Sequence, residues 1–202
     1  MQLDREPTTA LIEKAHQQVH RATFLVENIR NLEKVDALDP VLNSIDAIPI
    51  IRKRIERISQ MMEKFIHRKV TIHEQLHKKR IFVRGDKMLG EVFENILNNT
   101  IVHNRNESVE IIVRSRDSRL NGRPAVIFEI LDNGIGVPDQ LKHEIFSRAL
   151  SKGKPLAGTG IGLLLATKII ELYGGNITVD NRIKGEPSKG TKFSITLHAF
   201  GE

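Results

Sequence analysis

The chain has 202 residues, 40% of them hydrophobic and 28% charged, which fits a soluble globular protein of one large or two small domains. It contains no cysteine, so disulfides and thiolate metal sites are excluded and a reducing, cytoplasmic setting is expected; no apolar run approaches the roughly 20 residues of a membrane span, and the opening MQLDREPTTA is no signal peptide. The net charge of +6 would attract nucleic acid, anionic lipid or a polyphosphate, yet 4% aromatic residues, with one tyrosine and no tryptophan, supply few platforms for stacking bases.

Residues 8–35 read as one helix. Leu11, Ala15, Val19, Ala22, Val26 and Ile29 recur at spacings of four and three, with Leu25 and Leu32 widening the stripe. A lone helix cannot bury such a seam, so it must pack on the rest of the chain or on a second copy. VDALDPVLNSIDAIP reads as a connector in which Pro40 and Pro49 limit helix continuity. A second helix is expected over 49–68, with Ile51, Ile55, Ile58, Met62 and Phe65 on one face.

KVTIHEQL and RIFVRGD are strand candidates, and Asp86 is a candidate N-cap for the helix KMLGEVFENILNNTIVH. SVEIIVRSR and PAVIFEILD read as strands joined through a turn at Asn121-Gly122. PDQLKHEIF is expected to be a short helix and residues 162–173 a longer one. GNITVDN and GTKFSITLH close the chain as a strand pair. Helices mixed with hairpins argue for an α+β layered fold rather than a doubly wound parallel sheet.

Three stretches carry the chemistry. In GEVFENILNNT, Glu91, Asn95 and Asn99 are four apart and share a helix face, while Met88, Leu89, Val92, Phe93, Ile96 and Leu97 supply the buried one. A wet helix surface accounts for that line equally well, but Asn95, Asn98 and Asn99 together carry a helix-propensity cost. The strand PAVIFEILD ends in Asp132, followed by Gly134 and Gly136. A carboxylate held there can accept a hydrogen bond from a ligand amino group, or it merely closes an Asx turn. GTGIGL, from Gly158, opens a helix with three glycines in six residues, a place where N–H groups can reach phosphate oxygens without a Cβ in the way.

Taken in order, E-x3-N-x3-N on a helix, D-x-G-x-G after a strand and G-x-G-x-G before a helix are far more specific than any one of them. With EVFENILNNT as N box, LDNGIGV as G1 box, EIF as the start of the F box and GTGIGL as G2 box, residues 48–200 resemble the ATP-binding domain of the superfamily of histidine kinases, DNA gyrase B, Hsp90 and MutL. Sensor histidine kinases are the nearest likeness: Asp132 and Gly158 stand close in sequence, leaving a short ATP lid, and RATFLVENIRNLEKVDAL is similar to the second helix of the kinases' dimerisation domain.

The resemblance implies a Bergerat-type two-layer sandwich, a mixed sheet with about three helices on one face, preceded by a long N-terminal helix. It divides the chain into a dimerisation-type helix with linker at 1–44 and an ATP-binding catalytic domain at 45–202. It implies ATP and Mg2+ as ligands, a homodimer through the N-terminal helix, a response regulator receiver domain as partner, and contact with neither nucleic acid nor membrane. Asp132 would bind the adenine amino group, with the base against Gly134 and Gly136. Asn95 would ligate magnesium, Asn99 would lie near the phosphates, and Gly158, Thr159, Gly160, Ile161, Gly162 and Leu163 would hold the triphosphate. Glu91 is either a general base, as in the ATP-hydrolysing relatives, or a residue that orders the site. Lys152 and Lys154 are candidates to neutralise phosphate from the lid.

Departures from the family pattern are visible too. Val102 stands where a phosphate-binding lysine is common, His103 where an aromatic is usual, and Ala149-Leu150 replaces an aromatic pair. No His-Glu-x-x-x-Pro motif is present, and neither His16 nor His20 is followed by the acid and proline of a phosphoacceptor, which is therefore expected upstream of Met1. Two other readings stay open: a degenerate nucleotide-binding module that relays a signal without phosphoryl transfer, and nucleic-acid binding, which rests on charge alone.

Overall fold

The computed structural model describes residues 6–37, 41–65, 69–146 and 160–200. Lys152, Lys154, Gly158, Thr159, Ala149 and Leu150 lie outside the described residues, as do the side chains of His16 and His20. The chain runs α1 (Glu6–Ala37), β1 (Asn43–Asp46), α2 (Ala47–Phe65), β2 (Lys69–Gln75), β3 (Phe82–Gly85), α3 (Leu89–Val102), β4 (Ser108–Leu120), β5 (Arg123–Asp132), α4 (Ile161–Leu172), β6 (Asn176–Ile183) and β7 (Glu186–His198). The main sheet has the order β2-β4-β5-β7-β6, and β1 pairs with β3 in a small second sheet. Only β2 and β4 run parallel within the main sheet, so it is mixed.

Alternation decides which face is buried. Val109, Ile111 and Val113 of β4 share a face with Phe128 and Ile130 of β5 and with Phe193, Ile195 and Leu197 of β7, all buried. Against that face lie α2, α3 and α4. Ile51, Ile55, Ile58 and Met62 of α2 are buried, as are Val92, Phe93, Ile96 and Leu97 of α3. Phe93 meets Phe128 edge to face at 5.6 Å. This is the α+β two-layer arrangement expected from the mixture of helices and hairpins.

Several boundaries differ from the sequence reading. The connector contains a strand, β1, secured by Asp46, whose Oδ1 accepts the backbone N–H of both Ile48 and Ile81 (3.2 and 3.1 Å). Asp86 does not cap α3: Met88 occupies that position, and Asp86 instead takes the Met88 N–H at 2.7 Å and the Tyr173 hydroxyl. Burial and this carboxylate push the Tyr173 phenol well above its ordinary range. The helix expected over 138–146 is a 3-10 turn at Asp139–Leu141 followed by further turns. Strands β4 and β5 run right up to Asn121-Gly122, whose φ values of 51° and 79° fit a primed hairpin turn.

The first helix buries only one edge of the stripe its apolar spacing suggests. Asn28 and Val35 are buried and Leu32 packs on the core, whereas Leu11, Val19, Val26 and Ile29 are exposed. Among the described residues no helix is long and apolar enough to cross a membrane.

Candidate functional site

The helix α3 carries Glu91, Asn95 and Asn99 along one line, and they are not equally wet. Asn95 is buried; its Nδ2 donates to the Glu91 carbonyl at 2.9 Å, while its Oδ1 is buried without a hydrogen-bond partner. An orphaned buried acceptor costs about 1–3 kcal/mol and calls for a reason. Opposite it stands Gly162 in the first turn of α4, where a β-carbon would lie 2.4 Å from that oxygen. Only glycine permits this approach. Asn99 is partly exposed, one turn further along.

Glu91 is held from two sides. Arg54 of α2 donates through Nη2 to Glu91 Oε1 (2.8 Å) and through Nη1 to Glu94 Oε2 (2.6 Å), and Asn31 of α1 donates to Glu91 Oε2 at 3.3 Å. The guanidinium crosses α3 at Gly90, where a β-carbon would come within 2.6 Å of Arg54 Nε. Burial raises the Glu91 pKa above the usual carboxylate value; Arg54 opposes that shift and Glu94 adds to it. The pairing of Arg54 escaped the sequence reading, because a charged residue on the polar side of an amphipathic helix looks like a solvated one.

Asp132 ends β5, buried on the helix-facing side of the sheet. Its Oδ1 accepts the N–H of Gly134 at 2.7 Å and of Thr191 at 3.3 Å. Desolvation raises its pKa, and these two N–H groups together with the Arg182 charge offset part of the rise. Gly136, with φ 72°, faces the Pro187 carbonyl, and Gly190, with φ 109°, faces the Asp132 carbonyl; a β-carbon would stand 1.6 Å and 1.9 Å from these oxygens. The two glycines let the strand end and the β6–β7 hairpin arm close on each other.

Asn133 and Asn104 were not singled out from the sequence, yet they fix this corner. Asn104 Nδ2 donates to Asn133 Oδ1 at 2.8 Å, which also receives the Glu110 N–H, and Asn133 Nδ2 donates to the Ser108 carbonyl at 3.0 Å. The end of β5 is thereby pinned to the segment that leaves α3. Gly160 enters α4 with φ 69°, and its carbonyl accepts the Leu164 N–H at 3.2 Å. Ile161, Gly162 and Leu163 form the first turn, so the start of α4 and the middle of α3 share one corner. Upstream, Phe146 packs edge to face on Phe193 at 6.4 Å.

Residues 85–200 match the family described as Histidine kinase-, DNA gyrase B-, and HSP90-like ATPase. The chain belongs to this family. It is 29% identical over 211 residues to Sensor protein kinase WalK of Staphylococcus epidermidis, which covers 96% of this chain and 31% of the relative. It is 30% identical over 191 residues to Signal transduction histidine-protein kinase ArlS of Staphylococcus aureus, covering 89% and 38% respectively. The chain thus spans about a third of the length of these relatives. Its fold is similar to a mycobacterial sensor histidine kinase, MprB, at TM-score 0.64 and 23% identity over 80% of this chain and 100% of that one. Full-length ShkA, in complex with AMPPNP, aligns at TM-score 0.69 and 18% identity over 100% of this chain and 41% of that one.

Proposed function

We propose that this chain is the ATP-binding catalytic part of a two-component sensor histidine kinase, which transfers the ATP γ-phosphate to a histidine on a dimerisation helix for relay to a response regulator. The observation that carries the reading is the buried, unpartnered Oδ1 of Asn95, set against Gly162 in the first turn of α4. The likeness to named sensor kinases supports it.

In this reading Asp132 accepts the adenine amino group, and Gly134 and Gly136 let the base approach the backbone. The first turn of α4, from Gly160 to Leu163, offers N–H groups and a helix dipole to the phosphates; Gly158 and Thr159, outside the described residues, are proposed to share that role. An amide oxygen fits a magnesium ion that keeps most of its waters, so Asn95 is the residue that would hold it; such an ion neutralises phosphate charge during transfer. Asn99 lines the phosphate side, and Lys152, outside the described residues, is proposed to neutralise phosphate charge. Glu91, with Arg54 and Asn31 on its oxygens, is proposed as a positioning residue for Asn95 rather than a base for water.

Residues 1–44 are read as the dimerisation-type helix and linker and residues 45–202 as the catalytic domain. Exposure of Leu11, Val19, Val26 and Ile29 on α1 supports a homodimer through that face. The proposed setting is cytoplasmic.

A second reading, nucleotide binding without phosphoryl transfer, is favoured by the exposed Val102 where a phosphate-binding lysine is usual. One experiment separates the two. The native polypeptide carrying this chain, incubated with Mg-ATP, acquires acid-labile, alkali-stable phosphate, and Asn95→Ala abolishes it. A polypeptide that binds Mg-ATP yet never labels overturns the kinase reading in favour of the second.

A further inference from the structure

The end of β5 opposite Asp132 borders a second concavity. Arg84 of β3, Arg123 and Pro124 of β5, Gly174 after α4, and His198 and Phe200 at the end of β7 line a cleft of about 350 Å³. The walls are sewn together by backbone: the N–H of Ala199 donates to the Pro124 carbonyl at 3.0 Å, and that of Phe200 to the Phe82 carbonyl at 2.9 Å. A bridge between Val83 and Ala199 joins the small sheet to the large one at the same place. The cleft is therefore built from strands rather than from a loose loop.

Its chemistry is one-sided. Neither the Arg84 nor the Arg123 guanidinium has an ion-pair or hydrogen-bond partner among the described residues, and no described carboxylate lines the cleft. His198, in the same wall, keeps a buried Nδ1 without a partner. Two guanidinium forks without a partner among the described residues match phosphate oxygens in charge and geometry, and the His198 imidazole lines the same cleft. Phe200, 46% exposed, offers an apolar surface beside them. The volume falls in the range of small-molecule sites, about 300–1,000 Å³.

We propose that this cleft binds a small phosphate-bearing anion, its phosphate held by Arg84 and Arg123 with His198 beside it and any apolar body against Phe200. The site is separate from the nucleotide corner: the ten residues of β5 put roughly 30 Å between the two, at about 3.4 Å per residue. Free inorganic phosphate and a phosphate monoester share the chemistry, and the test distinguishes them.

The test follows the imidazole resonances of His198 by NMR on the 202-residue chain, assigned by their loss in His198→Gln, during titration with phenyl phosphate and separately with inorganic phosphate at constant ionic strength. The expected result is a saturable shift. Arg84→Gln and Arg123→Gln should each weaken it by about tenfold or more, and the rest of the spectrum should stay in place because both arginines are exposed. Asp132→Asn should leave it unchanged. Phenyl phosphate binding about tenfold tighter than inorganic phosphate assigns a monoester seated on Phe200, and equal affinities assign free phosphate. A shift that grows linearly without saturating, that survives the double arginine variant, or that vanishes in Asp132→Asn overturns the proposal.

Discussion

Gly162 and Asn95 meet so closely that a β-carbon on the glycine would stand 2.4 Å from the buried Oδ1 of the asparagine. The contact joins the middle of α3 to the first turn of α4 and keeps one acceptor free of protein partners. Gly162→Ala tests its purpose. Alanine is better than glycine within a helix by about 1 kcal/mol, so helix propensity alone favours the variant. The expected outcome is a displaced Asn95 side chain, helix content equal to wild type by circular dichroism, and Mg-ATP affinity at least about tenfold weaker by calorimetry, a loss of about 1.4 kcal/mol. Unchanged affinity would count against the role given to Asn95.

Asp132 should be a residue whose charge costs stability. Burial raises its folded pKa above the unfolded value, so between the two values the folded state binds more protons and stability falls as pH rises. The penalty is absent below the ordinary aspartate pKa of about 4 and complete above the raised one. Asp132→Asn keeps an acceptor for the N–H groups of Gly134 and Thr191 but carries no charge. Urea unfolding from pH 4 upward should show the variant gaining on wild type as pH rises, with nucleotide binding lost. A stability difference that stays flat with pH would refute the linkage.

Arg54 sits between two carboxylates that are largely out of water, with side-chain exposures of 18% for Arg54, 25% for Glu91 and 8% for Glu94. Among the described residues, removing the cation leaves Glu91 with only Asn31, at 3.3 Å, and Glu94 with only Arg57, at 3.5 Å. Arg54→Met should cost about 3 kcal/mol in urea unfolding, the scale for breaking a buried pair from one side. Lys78, whose Nζ lies 2.7 Å from Asp117 on the surface, gives the contrast: Lys78→Met should change stability by less than about 1 kcal/mol. Equal effects would show that burial is not what gives Arg54 its weight.

What the sequence makes legible follows from local physics. The apolar positions of α3 and the Asn121-Gly122 turn each carry their own signal, and the structure uses both as expected, while, of the glycines after Asp132, Gly134 closes a turn on that carboxylate and Gly136 packs against the Pro187 carbonyl. Strand β1 carries none: Asn43–Asp46 is too short and polar to stand out, and it exists because Ser44 and Ile45 pair with Arg84 and Val83 far along the chain. Asp86 shows the reverse: the capping candidate lies two residues before the N-cap Met88, and its Oδ1 takes both the Met88 N–H and the hydroxyl of Tyr173, which follows α4. Arg54, Asn104 and Asn133 act through partners that only the tertiary fold brings within reach. In α1 the spacing singled out one broad stripe, of which Leu32 packs on this chain beside Asn28 and Val35 while Leu11 and Val19 stay exposed.

That exposed stripe sets a prediction of its own. If Leu11, Val19, Val26 and Ile29 meet a second copy, Val19→Glu combined with Val26→Glu should convert a dimer into a monomer by light scattering, without loss of the folded catalytic layer by circular dichroism. A wild-type chain that is monomeric at high micromolar concentration would contradict the homodimer.

The proposed nucleotide lies between the strand end at Asp132 and the corner of Asn95 and Gly162. Calorimetric titration of the chain with Mg-ATP, repeated on Asp132→Asn and Asn95→Ala, tests this most directly. The predicted result is saturable binding by the wild type, lost or weakened at least about tenfold in both variants, with that of Asn95→Ala losing its dependence on magnesium. Absence of uptake at millimolar Mg-ATP, or wild-type affinity in both variants, would contradict it.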